Sequence, residues 1–238
     1  MLANLPVEII LLICKYPELK DLGQLAWTNK RMMQIIKKYR PIVLVLDRKI
    51  PFYMLYSDGP TWEGRICLFD SHTNSVKQIA RFSAWLRSYQ VDIAKDKIFA
   101  ITGQFKLFEI YDLNTGQISK GPDPPEWRDV ASVVYFKDKL YYLGGYYFET
   151  KKDTTRVDIL IDEKWETGPA LPFPLKHAQA ITSNAILYAL GVWSNYIIIY
   201  RLSNDEREWI KVEVIPNYRY YLGVASLNKE LYITGGTR

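Results

Sequence analysis

Histidine and cysteine are almost missing from this chain: two of each occur in 238 residues. Two histidines, His72 and His177, are too few for most metal sites, which gather several nitrogen or sulfur ligands into one cluster. Each reads as a surface or packing residue. Cys14 and Cys67 lie inside apolar runs, where a free thiol behaves as a small hydrophobe. Neither belongs to a metal-spacing or redox motif, so a reducing compartment, cytoplasm or nucleus, is expected. Long apolar runs are missing too. The longest, Ile9–Cys14, falls far short of the roughly 20 residues a membrane helix needs, and no membrane association is expected. No basic stretch precedes that run, which argues against a signal peptide. Charge of one sign is not in large excess: 31 basic residues are scattered among 26 acidic ones. Such scatter describes a solvated surface and not a nucleic-acid interface. No Ser-His-Asp set, phosphate loop or Gly-rich dinucleotide fingerprint occurs, so neither catalysis nor a cofactor is expected.

What the chain does have is aromatic residues, 14% of the total, with 18 Tyr and 7 Trp. Flat side chains of this kind suit strands. Residues 1–40 are different and carry helix signals. Pro6 fits a first helical position, and Ile9, Leu12, Ile13 and Tyr16 follow the spacing of one helical face. Ile10 and Leu11 make that helix apolar almost all round, so it must be covered on more than one side. Asp21 with Gln24 makes a capping box for a short second helix beginning at Leu22, and Asn29 can cap a third that Pro41 stops. Three short helices bury too little surface to stand alone. This head needs a partner, either the rest of the chain or another protein.

Beyond Pro41 the pattern turns to short apolar runs split by turn residues, among them Pro51–Tyr56, Val130–Phe136, Leu140–Leu143 and Tyr196–Leu202. These runs repeat. Phe52-Tyr53-Met54-Leu55, Ile98-Phe99-Ala100-Ile101, Leu140-Tyr141-Tyr142-Leu143, Leu187-Tyr188-Ala189-Leu190 and Leu231-Tyr232-Ile233-Thr234 align at a period of about 45 residues. The last four run into glycine, at Gly103, Gly144-Gly145, Gly191 and Gly235-Gly236. A further strand, a polar turn and an apolar or Trp residue follow the first four copies, and Pro-rich exits occur at Pro122, Pro169 and Pro216. A period of this length holding about four strands marks a propeller blade, whose sheet buries its faces only against neighbouring blades. The expected fold is mostly β, with blade units at about 42–86, 87–129, 130–175 and 176–218 and a partial one at 219–238.

The segment Asp138–Pro174, with Tyr141, Gly144-Gly145 and Trp165, resembles a kelch repeat. The resemblance implies that the double glycine ends a strand where a side chain would obstruct packing, and that the Trp fills the gap between blades. The head then resembles an F-box: Leu5-Pro6-x-Glu8 followed by Ile9, Ile10 and Ile13, then Asp21-Leu22 and Leu25, then Lys30-Arg31. Pro17, Leu19 and Met32 depart from that pattern. An F-box at 1–40 joined to a kelch-type propeller at 41–238 implies a non-catalytic substrate receptor of an SCF-type cullin–RING ubiquitin ligase. Leu5, Pro6, Ile9, Ile10, Ile13 and Leu22 would dock on the Skp adaptor. The rival reading is a kelch interaction scaffold without ligase function, such as a cytoskeletal binder. Copper radical oxidases share the propeller but need His and Tyr ligands with a reactive Cys, a set this chain does not supply.

In kelch adaptors the loops entering each blade contact the target. Arg87, Trp127, Arg128, His177, Arg219 and Tyr220 stand at such places, and arginines beside aromatics suit an acidic or phosphorylated protein. The competing reading has these side chains make local turn hydrogen bonds. The strand accounting ends unevenly: after four blades, residues 220–235 supply two strands and the chain halts. Either a longer parent protein or an open, incomplete ring is expected.

Overall fold

The computed structural model describes residues 52–56, 63–70, 75–85, 90–193, 195–216, 220–227 and 229–237. The head at 1–40, with all six expected adaptor contacts, lies outside these residues, as do Arg87 and Arg219. The chain divides into two compact units, residues 1–54 with 67–78, and residues 55–66 with 79–238. Strands β1 (Phe52–Tyr56), β2 (Glu63–Asp70) and β3 (Ser75–Trp85) form a three-stranded sheet in chain order. Cys67 is buried, as its apolar surroundings imply.

The larger unit is a succession of antiparallel sheets. The first holds β4 (Gln90–Ala94), β5 (Lys97–Thr102), β6 (Leu107–Asp112) and β7 (Ile118–Lys120), in that order. The second holds β9 (Ser132–Phe136), β10 (Lys139–Leu143), β13 (Val157–Ile161) and β14 (Lys164–Thr167). The third holds β15 (Lys176–Ser183), β16 (Ile186–Trp193), β17 (Tyr196–Leu202) and β18 (Trp209–Pro216). A last pair, β19 (Tyr220–Leu227) with β20 (Glu230–Thr237), follows. The first strands pack in succession, β4 beside β9, β9 beside β15 and β15 beside β19. This is the blade arrangement that the repeat implies, without a closed ring among the described residues.

The hairpin turns explain why the strands pair so tightly. Lys95-Asp96, Lys137-Asp138, Asp162-Glu163 and Asn184-Ala185 all take positive φ at both central positions, between 45° and 66°. Such turns match the right-handed strand twist. The alternation of β10 then assigns its side chains to two different cores. Leu140 and Tyr142 pack with Phe99, Ile101 and Phe108 of the preceding sheet. Tyr141 and Leu143 pack with Leu187, Ala189 and Tyr200 of the following one. Tyr188 and Leu190 of β16 turn in the same way toward Val224 and Ile233 of the last pair. The sheets built on β10 and β16 are thus apolar on both faces, and each of these cores belongs to two neighbouring blades.

Tryptophan fixes those joints. Trp165 of β14 packs with Phe108 at a ring-centroid distance of 6.1 Å, and its Nε1 donates to the Pro122 carbonyl over 2.9 Å. One repeat later Trp209 donates to the Pro169 carbonyl, also over 2.9 Å. The two acceptors occupy equivalent Gly-Pro exits, Gly121-Pro122 and Gly168-Pro169, so the repeat extends to individual hydrogen bonds.

Candidate protein-binding face

The glycine ends of the second strands share one end of the blades, because the linkers between blades cross there. A Cβ on Gly103 would run into the Arg128 backbone, and one on Gly191 would run into Leu175. Gly144 and Gly145 have φ of +61° and +92°. A Cβ on Gly145 would stand 2.6 Å from the Ala131 Cβ. Only glycine satisfies both the conformation and the approach.

After this double glycine the chain does not turn directly into the third strand of its blade. It makes a small hairpin, β11 (Tyr146–Tyr147) and β12 (Lys152–Asp153), against β8 (Arg128–Asp129) of the incoming linker. Arg128 holds this cap from beneath. Its Nη2 donates to Asp158 Oδ2 at 2.7 Å and to the Tyr142 carbonyl at 3.0 Å. Its Nη1 donates to the Arg156 carbonyl at 2.7 Å. The Tyr142 hydroxyl accepts from the Arg128 N–H at 2.8 Å and donates to the Arg128 carbonyl at 2.6 Å. The guanidinium carbon lies 4.3 Å from the centre of the Tyr142 ring. Arg156 closes the network outward, with its Nε 2.9 Å from Asp158 Oδ1 and its Nη1 3.0 Å from Glu126 Oε1.

Arg128 and Asp158 expose none of their side chains. Burial pushes the Asp158 carboxyl up, and Arg128 and Arg156 pull it back toward the charged form. Burial likewise lowers the Arg128 guanidinium and lifts the Tyr142 hydroxyl to about 12. A charge removed from water this completely needs a full set of partners. Arg128 has one from the carboxylate and two from backbone carbonyls, and its Nε alone lacks one.

This placement corrects the expectation that Arg128 reaches out to an acidic target. Its guanidinium points into the blade and is spent on local structure. Trp127 packs partly buried against the core shared by the first two four-stranded sheets. Tyr220 opens β19 and His177 lies in β15, both on strands and not on free loops. Their side chains, like all of Arg87 and Arg219, lie outside the described residues.

Several aromatic residues also face outward at this end. Phe148 is half-exposed and meets Tyr146 edge-on at 5.4 Å. Phe173, on the linker into β15, meets Trp193 in a tilted contact at 5.6 Å, and Tyr196 stands across the hairpin from Trp193. Sequence reading passed over these because a Phe or Trp in a strand-rich chain reads first as core. The available signal was position: Phe148 follows Gly144-Gly145 and Trp193 follows Gly191, at the far ends of the second strands. Among the described residues no group of three or more His, Cys, Asp or Glu is placed to hold a metal ion.

The chain is 32% identical over 65 residues, 27% of its length, to a Kelch domain-containing protein of Saccharolobus solfataricus. The matched stretch spans 8% of that protein's length. No protein-family model matches the chain. The likeness supports kelch repeats and, with the sheets described above, a kelch-like propeller architecture; it does not bear on the head.

Proposed function

We propose that this chain is a protein-recognition subunit of an SCF-type cullin–RING ubiquitin ligase. Its blades hold a target and its N-terminal 40 residues dock on the Skp adaptor as an F-box. The observation that carries the recognition half is the glycine-end face, where loops with outward aromatic side chains are held on paired sheets. Rigid scaffolds that present such loops are built for binding. The adaptor half rests on the sequence of the head. In the helix expected there, Leu5, Pro6, Ile9, Ile10 and Ile13 would put more apolar surface on one short element than three small helices could cover. The contribution to ubiquitin transfer is proximity and orientation, with the chemistry supplied by other subunits.

Affinity purification read by mass spectrometry tests both halves. The expected result is co-purification of the Skp adaptor with a target protein. Pro6→Ala with Ile9→Ala should remove the adaptor and spare the target, with the blades still folded. Full retention of the adaptor by the double variant would overturn the F-box reading. A target recovered without any adaptor, from the unaltered chain, would leave the interaction scaffold as the correct reading.

A further inference from the structure

Two stretches of sequence that reach the binding face carry no charge. Between Lys176 and Arg201 the sequence holds no Asp, Glu, Lys or Arg, and neither does Pro169–Leu175, in a chain that is 24% charged. Interior strand accounts for much of this, since Leu187, Ala189, Leu190 and Tyr200 are buried. It does not account for Phe173, Trp193 and Tyr196, whose exposures are 46%, 49% and 43%. Trp193 and Tyr196 are directly opposed in the β16–β17 register, so their side chains leave the sheet on the same side. Phe173 extends the row, its ring tilted by 34° to that of Trp193. The result is a row of three exposed rings, two at the tip of a hairpin and one on the linker beside it.

The polar atoms of these rings are also idle. Trp165 and Trp209 both use Nε1 to donate to a proline carbonyl. Among the described residues, Trp193 Nε1 and the Tyr196 hydroxyl donate to nothing. A row of apolar rings whose two donors are unused among the described residues, carried on segments without charge, sets conditions on what it binds. A cationic ligand would want a carboxylate beside the rings, and residues 169–175 and 177–200 supply none. An acidic ligand would want lysine or arginine, which are equally absent. A helix has already used its own carbonyls. A polyproline II segment is uncharged, packs flat rings along its length and leaves every carbonyl free, because it makes no internal hydrogen bonds. It also loses little entropy on binding.

We propose that Phe173, Trp193 and Tyr196 form a platform for a proline-rich segment of a partner protein. The segment lies extended across the three rings, and Trp193 Nε1 and the Tyr196 hydroxyl donate to its carbonyls. This deepens the protein-recognition reading and rests on it.

The test uses the full chain and a fluorescein-labelled peptide of repeated Pro-Pro-Leu-Pro, with a counterpart in which alanine replaces each proline. Anisotropy should show saturable binding of the proline peptide only. Trp193→Ala should weaken it at least about tenfold, as loss of a central aromatic anchor does. Tyr196→Phe, which removes one donor and keeps the ring, should weaken it about threefold. Both variants should melt like the parent, since both positions are half-exposed. Equal binding of the alanine peptide, undiminished binding by Trp193→Ala, or no saturable binding would overturn the platform. So would saturable binding of cello-oligosaccharides abolished by Trp193→Ala while the proline peptide is ignored. Affinity purification separates this failure from failure of the wider reading. A target captured equally by the parent and by Trp193→Ala leaves recognition standing and removes the platform.

Discussion

Arg128 and Arg156 are two arginines near one carboxylate, and burial divides their roles. Arg156 is partly solvated and lies between Asp158 and Glu126, so either carboxylate can be lost without stranding its charge. Arg128 has no access to water, and its charge is balanced within the protein by Asp158 alone. Removing one member of such a pair leaves the other buried and uncompensated. Arg128→Ala should therefore lower unfolding free energy by about 3–5 kcal/mol in urea titrations. Arg128→Lys should not restore it, because one ammonium cannot reproduce a planar fork spanning Asp158 and two carbonyls. A surface arginine devoted to a target would give the opposite pattern, with unchanged stability and lost capture. Glu126→Gln should change stability by at most about 1 kcal/mol, as expected of a partly exposed pair.

At the scale of strands and turns, the repeat converts small sequence signs into specific joints. Trp165→Phe and Trp209→Phe each keep an aromatic ring and delete one N–H, leaving the Pro122 or Pro169 carbonyl without its donor. Each should cost about 1–3 kcal/mol, and the two losses should be nearly additive because they sit at different blade junctions. A strongly sub-additive pair in denaturant titrations would show that the junctions are not independent. Gly145→Ala should be more damaging than either, since it combines a forced φ with a collision against Ala131. Most of this was legible in the sequence. Gly103, Gly144-Gly145 and Gly191, the turns before each second strand, and Trp165 and Trp209 are local signs recurring at one period, and each occupies the place that period assigns. The cap of β8, β11 and β12 was not legible. It exists only because Arg128 meets Asp158, 30 residues away, and no spacing rule links an arginine in a linker to an aspartate in the third strand of a sheet. The exposed rings of Phe173 and Trp193 were missed for the complementary reason. Side-chain type predicts burial on average and cannot tell a strand interior from the hairpin tip just beyond it.

For the larger unit, stability is a sum over neighbouring blades, and polar contacts mark the same joints as the aromatic cores. The Ser132 hydroxyl accepts from the Ala180 N–H at 2.8 Å, and Ser226 donates to Ser183 at 2.7 Å. At the turn ends of the blades, Lys95 pairs with Asp138, and Lys137 and Lys139 pair with Glu206 at 3.0 and 2.6 Å. The β9–β10 hairpin thus bridges its neighbours on both sides, using an acid toward one and two lysines toward the other. Glu206 is the group that makes this testable by pH. Hydrogen bonds from Lys139, Lys137 and Tyr141 hold its carboxyl down to about 2, from an ordinary value of 4.5. A depressed folded-state value stabilises the native state above the unfolded value, and that contribution is lost as pH falls through the folded one. The melting-temperature difference between the parent and Glu206→Gln should therefore be full above about pH 5 and shrink toward zero near pH 2. Lys137 is nearly half-exposed, so added salt should reduce the difference at neutral pH without abolishing it. A difference that stays constant from neutral pH down to about pH 2 would mean that Glu206 acts through the shape of its turn and not through its charge, and the electrostatic part of the blade joint would have to be discarded.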